Sequence, residues 1–204
     1  MQTIAICGID GSGKTTQVEM LKQYMQKNKI KVHATKSPTN WYRKDLRVAG
    51  YLSGELETNK MLIHELALLS ASDKLRQLQM EINEKNYNYI IYDRYLYSSY
   101  AYFMCRGMDL DYLMAINVNV PKPDITIYLD ISAEDAYSRI LKRDGTRSNK
   151  EEKDIKFLRT VREIFINQPW GKTEKYYIID GTRSRDKVFE EVLQIYQNNR
   201  ESGE

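Results

Sequence analysis

The sequence predicts a three-layer α/β fold, in which helices flank a central parallel sheet of about five strands. Short apolar runs rich in Ile and Tyr alternate with longer segments whose apolar residues recur at helical spacing. The first run ends in a glycine-rich turn, and three later runs end in aspartate. In parallel-sheet proteins, ligands bind at the carboxyl edge of the sheet, which is where these strand ends would lie. We expect the 204 residues to form a single domain, because this length fits one domain that can bury a sizeable core.

Five strands and six helices account for this pattern. The strands are predicted at 3–7, 32–36, 89–93, 125–130 and 176–179. The helices are predicted at about 16–26, 42–52, 59–85, 133–143, 150–167 and 185–198. Ser132 followed by Asp135 approximates a capping box at the start of the fourth of these helices.

The bulk composition is that of an ordinary globular protein. Hydrophobic residues make up 42% and charged residues 29%, and the net charge of +3 is too small and dispersed to indicate nucleic-acid binding. No apolar run is long enough to span a bilayer. The two cysteines, Cys7 and Cys105, lie far apart and indicate free thiols. We therefore expect a cytoplasmic protein that binds neither nucleic acid nor membranes.

The turn after the first strand carries the strongest chemical signal. It matches the pattern G-x-x-x-x-G-K-[ST] without a mismatch and lies between a strand and a helix, as the pattern requires. Its glycines allow successive backbone N–H groups to surround a phosphate at the positive end of the helix. We expect Lys14 to reach the outer phosphates of ATP and the Thr15 hydroxyl to bind Mg²⁺. The predicted ATP-binding residues are Gly8, Ile9, Asp10, Gly11, Ser12, Gly13, Lys14, Thr15 and Thr16.

The third strand ends in Asp93 and Arg94, beside the predicted phosphate loop. A carboxylate at this position can hold Mg²⁺ or a bound water. The adjacent guanidinium can bind a phosphate through two parallel hydrogen bonds. An ordinary structural ion pair is the alternative when the dipeptide is considered alone, but together with the loop it indicates phosphoryl chemistry.

Three arginines, Arg139, Arg143 and Arg147, follow one another at a spacing of four residues across a helix end and a turn. The segment 148–154 that follows is highly charged and contains no glycine. This combination suits a small lid, at about 143–154, that closes over a triphosphate. A solvated basic helix face is the alternative.

These motifs together resemble the thymidylate kinase family of nucleoside monophosphate kinases, over nearly the whole chain. The segment that begins at Asp93 is similar to the family signature D-R-Y-x-x-S-x-x-A-Y, and the strand 125–130 with the preceding Pro123 and Asp124 is similar to P-D-x-T-x-x-L-D. The loop has no arginine of its own, whereas the region 139–147 has three. That arrangement resembles the branch of the family whose lid supplies the catalytic arginine.

The resemblance implies transfer of the ATP γ-phosphoryl group to dTMP with Mg²⁺, in a homodimer. The catalytic residues it implies are Lys14, Asp93 and Arg94, together with Arg143 or Arg147. Asp10 would meet the acceptor's 3′-hydroxyl, and Arg94, helped by Arg47, would hold the acceptor phosphate. The implied acceptor-binding residues are Asp10, Arg47, Ser70, Lys74, Arg94, Ser98, Ser99, Tyr102 and Phe103, and Thr15 and Asp93 would bind the metal.

The chain departs from the family where the base is read. The family has F-x-x-x-R on the long helix, whereas this chain has Ser70 and Lys74, and Phe103 replaces the Gln of A-Y-Q. We expect Tyr102, Phe103 or Tyr42 to replace the missing aromatic contact. A kinase of the same scaffold for another nucleotide or nucleoside, a nucleotide-dependent regulatory protein, and a scaffold that only binds nucleotide remain the alternatives.

Overall fold

A computed structural model describes residues 1–84, 87–145, 148–172 and 175–201. Strands and helices alternate along the chain. The strands are β1 (Gln2–Cys7), β2 (Val32–Lys36), β3 (Tyr89–Asp93), β4 (Ile125–Asp130) and β5 (Tyr176–Asp180). The helices are α1 (Lys14–Lys27), α2 (Asn40–Arg43), α3 (Leu46–Ser53), α4 (Lys60–Glu84), α5 (Leu96–Cys105), α6 (Leu110–Ile116), α7 (Ala133–Asp144), α8 (Ile155–Asn167) and α9 (Arg185–Glu201).

The five strands form one parallel sheet in the order β2-β3-β1-β4-β5, which confirms the predicted fold class. Strand β1 lies at the centre, and alternate residues point to opposite faces. Ile4 and Ile6 pack in a cluster with α1 and α9, whereas Ala5 and Cys7 pack in a cluster with α4, α5 and α8. Because both faces of β1 are buried from Ile4 to Cys7, these four residues are all apolar rather than alternating with polar ones.

The sheet order places the functional edge. From β1 the chain runs to the edge strand β2 and returns to β3 beside β1, and after β3 it crosses to the other side of β1 to form β4 and then β5. The carboxyl ends of β1 and β3, which are adjacent, therefore open at the point where the direction of winding reverses, and a crevice forms there. Ile6 pairs with Asp93 in the ladder, so the loop after β1 faces the end of β3 directly.

The predicted helix over 42–52 is wrong as one element, because it divides into α2 and α3. The break lies at Asp45, whose side chain accepts a hydrogen bond from the N–H of Arg47 and starts a new helix. The helix predicted from residue 150 begins instead at Ile155, where the Asp154 side chain caps it. The predicted Ser132 cap is confirmed by a 3.0 Å hydrogen bond from the N–H of Asp135.

Within the described part of the chain, no helix is both long enough and apolar enough to cross a membrane.

Candidate active site

The loop between β1 and α1 is a tight backbone cradle. Gly8, Gly11 and Gly13 have φ values of +154°, +82° and +92°, which residues other than glycine rarely adopt. A Cβ atom on Gly11 would lie 2.6 Å from the carbonyl oxygen of Ala136, so the loop also packs closely against α7. No side chain caps the first N–H groups of α1. They are therefore available to a phosphate.

Lys14 lies over this cradle as a largely desolvated cation. Its Nζ donates to the carbonyl oxygen of Ile9 at 2.7 Å, and only 6% of the residue is exposed. Burial, with the nearby charge of Arg94, lowers the pKa of Lys14 to about 7. An amine in these surroundings gains strongly from an anionic partner, because a phosphate would offset the cost of burying its charge.

Thr15 and Asp93 meet across the gap between the loop and β3. The Thr15 hydroxyl donates to Asp93 Oδ2 at 2.5 Å. The second carboxylate oxygen, Oδ1, is buried and has no hydrogen-bond partner among the described residues. A hydroxyl beside a carboxylate oxygen that lacks a partner fits Mg²⁺, which commonly uses one or two protein oxygens together with phosphate and water. A group of three or more His, Cys, Asp or Glu residues that could hold a metal does not occur in the described ranges.

A partly buried ion pair forms the wall opposite Lys14. Arg94 Nη2 donates to Asp10 Oδ1 at 2.5 Å, and the Tyr102 hydroxyl donates to Asp10 Oδ2 at 2.9 Å. Burial alone would raise the pKa of Asp10, but the charges of Arg94 and Lys14 outweigh it and hold that pKa well below its usual range. Arg94 has φ +67°, a left-handed conformation that non-glycine residues adopt at a cost in strain. In this conformation Arg94 pairs with Asp10, while Asp93, the last residue of β3, meets Thr15, so both side chains of the Asp93–Arg94 dipeptide contact the loop region.

Two clefts meet at this ion pair. The first, about 340 Å³, is lined by the phosphate loop, Asp93 and Arg139, and we call it the loop cleft. The second, about 300 Å³, extends between α2, α5 and the segment 148–154, and we call it the side cleft. Four residues line both clefts: Asp10, Lys36, Arg94 and Arg143. Three cations and one carboxylate therefore stand where the contents of the two clefts would touch.

Most of the predicted residues come together in these clefts. Asp10, Gly11, Gly13, Lys14, Thr15, Thr16, Asp93, Arg94 and Arg143 line the loop cleft. Ser70, Ser98, Ser99, Tyr102 and Phe103 line the side cleft. Gly8, Ile9 and Ser12 are buried and support the loop from below. Arg147 lies outside the described residues.

Two predicted acceptor residues do not reach the side cleft. Arg47 points to solvent and pairs with Asp45 at 2.9 Å, because it follows the residue that caps α3. Arg43, four residues earlier, lines the cleft in its place. Lys74 is 1% exposed and does not line the cleft. Its Nζ donates to the carbonyl and hydroxyl oxygens of Ser70, each at 3.0 Å.

Two further cations line the site, Lys36 and Arg106, and neither was predicted from the sequence. Lys36 ends β2 and therefore lies at the ligand edge of the sheet, a position that the strand pattern could have indicated. Arg139, one of the three arginines predicted beside the lid, donates to the carbonyl oxygens of Gly11 and Gly181, at 3.5 and 3.1 Å, and so supports the loop. Arg106 lines the side cleft and pairs with Glu151, 45 residues later in the chain. No local pattern marks that pair.

The site combines a phosphate loop, a carboxylate with a hydroxyl beside it, and two clefts that share their cations. These features define a phosphotransferase that brings two phosphorylated compounds together. Comparison with known proteins specifies the class. The family model described as thymidylate kinase matches residues 6–192, and the chain belongs to this family.

Similar proteins are found in several organisms, and the similarity covers nearly the whole of each chain. A probable thymidylate kinase 1 of Saccharolobus solfataricus is 36% identical over 96% of this chain and 97% of its own. Probable thymidylate kinases of Pyrobaculum aerophilum and Methanosphaera stadtmanae are 34% and 36% identical, over 96% and 93% of this chain and 96% and 94% of their own.

Proposed function

We propose that this protein is a thymidylate kinase, which transfers the γ-phosphoryl group of ATP to dTMP and yields dTDP and ADP. The observation that carries the proposal is the wall shared by the two clefts. Phosphoryl transfer needs donor and acceptor in line and cations directed at the charge that develops between them. Lys36, Arg94 and Arg143 supply that charge at the junction.

The loop cleft suits the donor. The backbone of the phosphate loop and the N-terminus of α1 would bind the triphosphate of ATP, and Lys14 would turn from the Ile9 carbonyl to the outer phosphates. Thr15 and Asp93 would hold Mg²⁺, which supplies charge neutralisation on the phosphate oxygens when bound. In the transfer, an acceptor phosphate oxygen forms a bond to the γ-phosphorus while the bond to the bridging oxygen breaks and ADP leaves. Lys14 and Arg143 would stabilise the transferring group.

The side cleft suits the acceptor. Arg94 and Arg43 would bind its phosphate, a role that we assign to Arg43 in place of Arg47 because only Arg43 lines the cleft. Asp10, held by Arg94 and Tyr102, would accept a hydrogen bond from the sugar hydroxyl. Phe103 and Tyr42 offer ring faces on which a base can stack. Ser98 and Ser99 complete the polar wall on α5.

Base preference is the part of the proposal on which this chain differs from its family. Ser70 lines the side cleft with a small hydroxyl side chain, and the buried Lys74 amine donates a hydrogen bond to the Ser70 carbonyl oxygen. A different deoxynucleoside monophosphate is therefore the second candidate acceptor.

A panel of nucleoside monophosphates and nucleosides, incubated with ATP and Mg²⁺ and followed by ADP release, tests these proposals. The highest kcat/KM should belong to dTMP. Turnover of another acceptor without turnover of dTMP would refute the substrate assignment.

The same assay without an acceptor separates a kinase from a nucleotide-dependent regulatory protein. A kinase should release ADP at a small fraction of its transfer rate, because water lacks the binding contacts that align the acceptor. Hydrolysis as fast as transfer would favour the regulatory protein.

We also propose that the protein is a cytoplasmic homodimer. Met61, Leu68 and Leu75 lie at a spacing of seven residues on α4 and are 74%, 49% and 41% exposed, which supports a contact along this helix. Cys7 and Cys105 are free thiols, as is usual in a reducing compartment. Light scattering coupled to size exclusion should give twice the chain mass of 24.0 kDa, and Leu68→Glu should reduce it to one chain.

A further inference from the structure

The segment 148–154, between α7 and α8, forms hydrogen bonds with residues on the opposite side of the side cleft. The N–H of Lys150 donates to the carbonyl oxygen of Leu52 at 3.0 Å. Its Nζ donates to Thr58 Oγ1 at 2.9 Å and lies 3.6 Å from the centre of the Tyr51 ring. The segment therefore spans the cleft and contacts α3 and the loop after it.

Glu151 makes the main attachment. Arg106, which follows α5, donates from Nε and Nη2 to the two carboxylate oxygens of Glu151 at 2.7 and 2.8 Å. The Tyr51 hydroxyl donates to the same carboxylate at 2.7 Å. The Arg106 and Glu151 side chains are only 9% and 8% exposed, and the guanidinium lies 4.6 Å from the centre of the Phe103 ring. Removing one partner of such a buried pair leaves the other charge without compensation, so the attachment depends on both.

A chain of hydrogen bonds leads from this attachment to the shared wall. Asn149 Oδ1 accepts from the N–H groups of Glu151 and Glu152 at 2.9 and 3.1 Å. The N–H and side-chain amide of Asn149 donate to Glu152 Oε2 at 3.0 and 2.8 Å. The other oxygen, Oε1, accepts from Arg143 Nη2 at 3.2 Å. Glu152 is thus oriented on one side by Asn149 and holds Arg143 with the other.

Arg143 needs such an orienting group. Its side chain is 56% exposed in the last turn of α7, and it also pairs with Asp144, which is 30% exposed. An exposed arginine has many rotamers, and holding one of them costs conformational entropy. A carboxylate that is itself fixed reduces that cost, because only one of the two partners still has to be ordered.

We infer that Glu151 and Glu152 are positioning residues for phosphoryl transfer: Glu151 docks the segment 148–154 on Arg106, and Glu152 then holds Arg143 between the two clefts. The inference rests on the proposed function. It extends that function, because the placement of Arg143 beside the transferring group then depends on the contact between Glu151 and Arg106 on the acceptor side.

Glu151→Gln tests the docking step, and Glu134→Gln is the matched control. Glu134 also pairs with an arginine, Arg159, at 2.5 Å, but both side chains are more than half exposed and lie outside both clefts. We expect Glu151→Gln to lower kcat by about tenfold or more with every acceptor, since misplacement by about 1 Å can cost a hundredfold. The KM values should change by less than about threefold, because the contacts that bind both substrates remain. The control should keep the wild-type kcat.

Hydrogen exchange provides a readout that does not need turnover. In Glu151→Gln the amides of 148–154 should exchange faster, whereas those of β1 and β3 should not change. If the wild-type protein transfers no phosphoryl group to any acceptor, the proposed function fails, and the exchange result still decides whether Glu151 docks the segment.

Glu152→Gln keeps the inference testable if Glu151→Gln does not fold, because Glu152 takes no part in the buried pair. It should lower kcat about as much as Glu151→Gln while the melting temperature stays within a few degrees of wild type. An unchanged kcat in either folded variant would overturn the inference. So would a loss that differs between acceptor bases, because that result would make Glu151 a direct contact of the base.

Discussion

Lys74 was expected to contact the acceptor base, but its position inside α4 leads to a different prediction. Its Nζ is buried, with the two Ser70 oxygens as hydrogen-bond acceptors, and burial lowers its pKa from 10.5 to about 7. We predict that Lys74→Met makes the stability of the protein less dependent on pH. Methionine has similar length and carries no proton to gain or lose.

The sign follows from the direction of the pKa change. Between pH 7 and pH 10.5 the unfolded chain keeps the proton that folded Lys74 has released, so stability rises with pH in this window. At pH 6 both states are charged, and burial of the charge opposes folding in full. From about pH 7 to pH 9 the Lys74 amine is neutral in the folded protein and charged in the unfolded chain. Over these two pH units the free energy of unfolding rises by about 1.4 kcal/mol for each unit. The gain in stability from Lys74→Met should therefore be about 3 kcal/mol larger at pH 6 than at pH 9.

Urea unfolding of wild type and variant at both pH values measures this difference, because contributions from all other groups cancel. Lys187→Met, an exposed substitution on α9, is the control and should give the same small change at both pH values. If the effect of Lys74→Met were equal at pH 6 and pH 9, the buried amine would not be neutral near pH 8 and the reasoning would be wrong. The acceptor panel adds a second check: the order of preferred bases should not change, because Lys74 does not line the side cleft.

Three further substitutions test the assigned roles. Lys14→Met should lower kcat by about a hundredfold or more in steady-state assays, because a cation at the transferring group is lost. Unfolding experiments should show no loss of stability, since burial of the amine opposes folding. Arg94→Met should raise the acceptor KM more than the ATP KM in initial-rate measurements; an effect confined to ATP would contradict the assignment. Thr15→Val should raise the Mg²⁺ concentration needed for half-maximal activity by about tenfold, and a Mg²⁺ titration that is unchanged would exclude its hydroxyl as a ligand.

Local backbone requirements made the phosphate loop and the Asp93–Arg94 dipeptide recognisable from sequence. The loop needs glycine where φ is positive and a lysine at the first turn of a helix, and these demands fix residue types at fixed spacing. The sheet followed from apolar runs that must be buried on both faces. Helix boundaries were less certain, because a single capping side chain such as Asp45 can divide one helical pattern into two.

The sequence did not predict in the same way whether each basic side chain faces the cleft or solvent. Arg43 and Arg47 lie in one predicted helix, and only the break at Asp45 decides that the first faces the cleft and the second faces solvent. Lys74 has the spacing of a base-reading residue, yet its amine donates hydrogen bonds to the Ser70 oxygens and stays buried outside the cleft.

The sequence by itself therefore determined the fold class, the family and the phosphate chemistry, because each depends on backbone conformation and periodicity that neighbouring residues encode. Tertiary structure alone decided which cations line the shared wall and how the segment 148–154 is held. Arg106 and Glu151 are separated by 45 residues, and their pairing depends on how α5 packs beside the turn before α8. Such contacts arise from the packing of whole elements, which leaves no pattern along the chain.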